Sequence, residues 1–167
     1  MFYIQLTMMS TCIPSVIVTY FQLKLLTKVH GQPTYESLQN LSTEIKANAS
    51  SVPLTIGGSL YGHLGLILSD LCYATLANTV PWVTPGNPAP FIPPAGATGP
   101  QIEAAKDVWC ELKLAFEICQ APEKALIAQI VDSIEPIYLR ALLNKTTCQY
   151  SNSIRPCCTD PSICYPW

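Results

Sequence analysis

Residues 101–121, QIEAAKDVWCELKLAFEICQA, decide the fold of this chain. Their apolar side chains recur at intervals of three and four, which places them on one face of an α-helix, and charged side chains take most of the other positions. The pattern predicts a long amphipathic helix that begins at Pro100 or Gln101 and ends at Ala121, because Pro122 follows. The apolar stripe consists of Ile102, Ala105, Val108, Trp109, Leu112, Ala115, Phe116 and Cys119.

Pro122 is expected to begin a second helix over residues 122–134, since proline is favoured in a first helical turn. Glu135 and Pro136 should end that helix, and a further turn or two should continue through Leu143. The apolar residues of the two helices form a candidate packing or assembly face. We assign to it Ile102, Val108, Trp109, Leu112, Phe116, Leu126, Ile130 and Ile134.

The segment before the long helix is rich in proline. Seven prolines lie in residues 81–100 and exclude a regular helix or a central strand. Large apolar residues are interspersed among them, at Trp82, Val83, Phe91 and Ile92. The segment is therefore predicted to be an extended connector that lies on the helical body and is held there by these four side chains.

Two shorter helices are predicted further towards the N-terminus. Thr34 is a suitable N-cap for a helix that ends near Asn48, with Tyr35, Leu38, Leu41 and Ile45 on one face. Ser69 or Asp70 should begin a short helix through Leu76. Residues 64–68 are apolar but too short for periodicity to distinguish a strand from a helical turn. The fold class expected is a small, mainly α domain with a proline-rich connector.

Composition limits the function of the chain. Its 167 residues suffice for one domain, and it is 49% hydrophobic and 12% charged, which is unlike a disordered protein. The net charge is −2, and the nine lysines and arginines are scattered. Direct binding of nucleic acid through a basic surface is therefore poorly supported.

The organisation along the chain has three parts. Residues 1–25 are an apolar extension of unclear status, too polar for a membrane span and without the basic start of a signal peptide. Residues 26–154 form the predicted helical domain. Residues 155–167 contain three prolines and no periodicity, and we expect an irregular tail.

The eight cysteines leave two alternatives open. Cys12, Cys72, Cys110 and Cys119 each lie in an apolar stretch, which favours free thiols in an intracellular protein. The alternative is a small secreted or membrane-associated cysteine-rich protein without enzymatic activity. The apolar N-terminus, the cysteine count and three Asn-x-Ser/Thr triplets favour that alternative.

The sequence carries no recognisable catalytic or ligand-binding motif. The glycine-rich stretch Gly57–His63 lacks the lysine of a phosphate-binding loop, so it is interpreted as a turn. A pair of His63 with Cys72, Cys110 or Cys119 has no third group to orient it. The carboxylates of the long helix are typical of a solvated face. The sequence therefore predicts no catalytic residue, no cofactor and no metal site.

Several stretches resemble the Gag-like protein encoded at the front of copia-type LTR retrotransposons. They are residues 26–38, 57–68 and 121–143, followed by Asn144-Lys145-Thr146-Thr147 and Asn152-Ser153-Ile154. The resemblance rests on the order and spacing of these stretches and covers about three quarters of the chain.

The resemblance implies a helical, capsid-like protein that self-associates into virus-like particles in the cytoplasm. The homo-oligomer would enclose the RNA of the element. Two departures matter: from Arg155 onward the family pattern stops, which implies a truncated or frame-shifted copy, and there is no CCHC zinc knuckle. RNA is therefore expected to be a partner only indirectly, and a membrane is not expected as one.

Overall fold

The computed structural model describes residues 17–54, 61–78, 81–140, 143–144, 146–147 and 150. Within them the chain is mainly helical and forms no sheet, which confirms the predicted fold class. The helices are α1 (Tyr35–Ser51), α2 (Asp70–Leu76), α3 (Gly99–Ser133) and α4 (Pro136–Leu139), with a 3-10 turn at Leu64–Leu66.

Local capping explains where the first two helices begin. The Thr34 and Ser37 side chains each accept a hydrogen bond from the other's backbone amide, at 3.2 and 2.9 Å. The Ser69 hydroxyl accepts from the amide of Cys72 at 3.3 Å. Both N-caps agree with the sequence-based prediction, because a capping side chain acts within one turn and depends little on the rest of the fold.

The predicted break at Pro122 is wrong. The structure has one continuous helix, α3, from Gly99 through Pro122 to Ser133. A proline inside a helix leaves the carbonyl four residues earlier without its amide donor, at a cost of about 3 kcal/mol. Pro122 is fully buried, so packing of its ring offsets part of that cost.

The hydrophobic core lies between α1, the 3-10 turn, α2 and the C-terminal half of α3. Leu41, Ile45 and Ala49 supply the buried face of α1, and Leu126 is the most deeply buried side chain of α3. The other buried members of the core are Phe21, Leu26, Val29, Val52, Leu54, Leu66, Ile67, Tyr73, Ala77, Trp82, Cys119 and Ala125.

The domain begins earlier than the sequence indicated. Phe21 is buried in the core, and Ile17 and Val18 pack against it. Residues 17–25 are therefore part of the folded body and not an extension. Residues 1–16 and the predicted tail, 155–167, lie outside the described part of the chain.

Candidate assembly surface

The N-terminal half of α3 extends beyond the hydrophobic core. Residues 99–118, which we call the arm, include no buried side chain. Burial begins abruptly at Cys119 and continues through Ala121, Pro122 and Leu126. At 1.5 Å per residue the arm is about 30 Å long. A helix of this length is stabilised mainly by packing, so one of its faces needs a covering element.

The proline-rich segment covers one face of the arm. The ring of Phe91 lies 6.1 Å from that of Trp109, and the Trp109 Nε1 donates a hydrogen bond of 2.7 Å to the carbonyl of Ala89. Lys113 Nζ donates to the Asn87 Oδ1 at 3.4 Å. Residues 81–98 form no helix or strand and include a turn at residues 95–96, and residues 87–91 contact the arm through the groups named above.

Only two of the four side chains predicted to hold this segment do so. Trp82 is buried in the core and Phe91 packs on the arm. Val83 and Ile92 are exposed, so the prediction is wrong for them. An extended segment turns successive side chains in different directions, which is why neighbouring residues differ in burial.

A second face of the arm is apolar and uncovered. Ala104, Val108 and Leu112 follow one another at intervals of four and form a row along the helix. Val108 is 58% and Leu112 is 55% exposed. The adjacent row, also at intervals of four, is acidic and exposed: Glu103, Asp107 and Glu111. None of these carboxylates forms an ion pair with a cation in the described part of the chain.

The eight residues of the candidate face lie in three environments. Leu126 is in the core, with Ile130 and Ile134 packed against it. Ile102, Trp109 and Phe116 are partly buried. Val108 and Leu112 remain exposed. The stripe is thus continuous along α3, but only its N-terminal part faces solvent.

Sequence reasoning missed a buried polar junction centred on Asn48. Its side chain accepts a hydrogen bond from the amide of Leu23 at 2.7 Å and donates to the Leu23 carbonyl at 2.8 Å. It also donates to the Gln129 Oε1 at 2.9 Å. Asn48 lies three residues after Ile45 on the apolar face of α1, and a polar residue at such a position signals a buried hydrogen-bonding site.

His63 is the second buried polar group. Its Nδ1 lies 3.1 Å from the carbonyl of Val52. Its Nε2 has no hydrogen-bond partner among the described residues, although the Ile118 carbonyl is close enough to favour the protonated ring. Desolvation of the buried ring lowers the pKa of His63 more than the carbonyls of Val52 and Ile118 raise it. The pKa is therefore below its ordinary value of 6.5.

The cysteines considered as partners of His63 differ in environment. Cys119 is buried, and burial, reinforced by the charge of Glu123, raises the pKa of its thiol to about 11. The thiol is therefore protonated at neutral pH, whereas a nucleophile needs the thiolate. Cys72 is half-buried and Cys110 is exposed, and both are free thiols.

The glycine and aromatic motifs have structural roles. Gly62 has a φ of +53°, and a Cβ at this position would lie 2.6 Å from the carbonyl oxygens of Ser50 and Val52. The tight turn thus needs glycine, in agreement with the turn predicted for 57–63, of which residues 57–60 lie outside the described chain. Trp82 packs on Tyr73 with ring centres 5.6 Å apart, whereas Trp109 packs on Phe91.

No group of three or more His, Cys, Asp or Glu side chains within the described ranges is arranged to hold a metal ion. No helix in the same ranges combines the length and the apolar character needed to cross a bilayer.

Comparison with protein-family models, with curated proteins and with solved structures finds no significant match to this chain.

Proposed function

We propose that the chain is a structural, self-associating protein of the Gag-like capsid type from a copia-type retrotransposon. It would act in the cytoplasm by assembling with copies of itself and would have no enzymatic activity of its own. The observation that carries the proposal is the arm of α3, which presents an uncovered apolar row outside the core.

The exposed apolar area of this row favours association with another copy. Val108 and Leu112 are each more than half exposed, and burying such side chains against a partner contributes roughly 25 cal/mol per Å2 of apolar surface. Particle assembly repeats one weak contact many times, so no single interface has to be large. A row of large apolar side chains on a projecting helix is suited to such a contact.

The charge of the chain favours an indirect relation to RNA. The net charge is −2, and the exposed row beside Val108 and Leu112 is acidic. Phosphate groups would be repelled by this row. We therefore propose that the assembled particle encloses RNA without the arm contacting it.

The mass of the full chain in solution tests this proposal. Size-exclusion chromatography with light scattering should give a mass above 18.3 kDa that rises with protein concentration. Val108→Glu/Leu112→Glu should lower that mass towards the monomer. Leu71→Glu is the matched control, because Leu71 is 80% exposed on α2, away from the arm, and this variant should associate like the wild type. A wild type that stays monomeric at high concentration would refute the proposal.

A further inference from the structure

A groove at the opposite end of α3 complements the arm. It has a volume of about 370 Å3 and lies between residues 18–26 and the C-terminal half of α3. Lys24 and Leu25 line one side, and Lys124, Ala128 and Asp132 line the other. Leu25 is 79% exposed, so the groove offers an apolar surface beside two lysines.

The shape of the groove is fixed by hydrogen bonds. Gln129 Nε2 donates to the carbonyls of Leu23 and Lys24, at 3.2 and 3.0 Å, and ties the N-terminal segment to α3. The buried Asn48 side chain holds both Gln129 and Leu23. The groove is therefore a preformed surface, and a partner does not have to order its walls.

The charge of the groove is opposite to that of the arm. Asp132, the acidic residue of its lining, lies 3.5 Å from Lys28. Lys24 and Lys124 form no ion pair with the described residues, and the Lys124 Nζ donates a hydrogen bond of 3.0 Å to the neutral Gln120 side chain. The arm presents Asp107 and Glu111 without a cation from the described residues.

The dimensions also agree. The side of the groove formed by α3 extends from Lys124 to Ser133, ten residues, which is a rise of about 14 Å. The acidic row from Glu103 to Glu111 spans nine residues, a rise of about 12 Å, which is a similar length. In both surfaces the charged side chains border apolar ones, so the two could meet along their full length.

We propose that the arm of one copy docks in the groove of a second copy. Val108 and Leu112 would pack against Leu25 and Ala128, and the carboxylates of the arm would face the two lysines. The proposal rests on the self-association proposed above and adds its contact surfaces.

The contact has to be intermolecular. Val108 and Ala128 lie on one continuous helix, 20 residues or about 30 Å apart, so an arm cannot reach the groove of its own chain. Each copy would give its arm to one neighbour and its groove to another. A contact of this heterologous kind repeats into an open chain or closes into a ring.

Charge reversal tests the docking contact. The groove variant is Lys24→Glu/Lys124→Glu and the arm variant is Asp107→Lys/Glu111→Lys. All four residues are exposed, so both variants should fold, which circular dichroism checks. Each variant alone should associate at least about tenfold more weakly than the wild type by sedimentation velocity.

An equimolar mixture of the two variants should recover association, because each reversed surface then meets its complement. Lys106→Glu, on another side of the arm, is the control and should leave association unchanged.

The outcomes separate this contact from self-association in general. If the groove variant associates like the wild type while the arm variant does not, arms pair with arms and the docking contact is refuted. Failure of the mixture to associate, when the wild type does, also refutes it. A monomeric wild type would refute self-association itself, and the docking contact with it.

Discussion

The imidazole of His63 lies against the carbonyl of Ile118, the group that Pro122 leaves without a helical amide donor. Two local irregularities, a buried histidine and a proline within a helix, are thus adjacent in space. The Nδ1 of the same ring bonds to the Val52 carbonyl just after α1. His63 therefore lies between the end of α1, to which it is hydrogen-bonded, and the middle of α3.

Loss of this connection should destabilise the fold. His63→Ala removes a buried hydrogen bond and leaves a cavity, so we expect a loss of about 2–4 kcal/mol in the free energy of unfolding. Urea denaturation followed by circular dichroism measures it. His30→Ala is the matched control, because His30 is exposed, and its effect should stay within about 0.5 kcal/mol. Equal effects of the two substitutions would contradict the role assigned to His63.

The same histidine should make stability depend on pH. Burial lowers the pKa of His63 from its ordinary 6.5, so near pH 6 the unfolded chain binds a proton that the folded chain does not. Its contribution to stability is therefore fully present above pH 6.5 and is lost as the pH falls towards the lowered pKa. Urea denaturation between pH 5 and 8 tests this. His63→Gln should flatten the profile in that range. An unchanged slope in His63→Gln would show that another group is responsible.

Asn48 should be far more important to stability than its exposed neighbour Asn40 on the same helix. Asn48→Ala leaves the Leu23 amide and the Gln129 Oε1 without their side-chain partner in a partly buried site, and the Leu23 carbonyl keeps only its bond from Gln129. We expect a loss of about 2–4 kcal/mol in the free energy of unfolding. Asn40→Ala should change it by less than about 0.5 kcal/mol. A double-mutant cycle with Gln129→Ala should show coupling, and strict additivity would contradict the direct contact.

Gly65 should not tolerate a methyl group. A Cβ at this position would overlap the indole ring of Trp82, which packs directly on the glycine. Gly65→Ala should therefore lower the free energy of unfolding by about 1–3 kcal/mol. The control is Gly86→Ala, where a Cβ would meet open space. A thermal unfolding midpoint for Gly65→Ala as high as that of Gly86→Ala would contradict this packing.

The cysteines should differ in reactivity. Cys110 is exposed, whereas Cys119 is buried and its pKa is raised to about 11. Iodoacetamide at pH 8 should label Cys110 at least about tenfold faster than Cys119 in the native protein. The difference should disappear in denaturant, which serves as the control. Comparable native rates would show that α3 does not bury Cys119.

Comparison of sequence and structure shows which features were predictable. Helix type and the caps at Thr34 and Ser69 follow from residues within one turn, so the sequence predicts them. The continuity of α3 does not follow from local sequence, because it depends on how the rest of the fold buries Pro122. Hydrophobic periodicity also predicts the apolar stripe of α3. It does not predict that the helix enters the core only at Cys119. The position where burial begins depends on which other elements of the fold pack against α3. It therefore decides which part of the stripe is exposed as a candidate surface.

We claim that a second copy covers the apolar row of the arm, and labelling of a single thiol within that row is the sharpest test. In a Val108→Cys variant, the new thiol lies in the row, while the native Cys110 lies on a different side of the same helix turn. Labelling of Cys at position 108 should slow as protein concentration rises, because association covers the row, and labelling of Cys110 should not change. Rates at 108 and 110 that are both independent of concentration would contradict the claim.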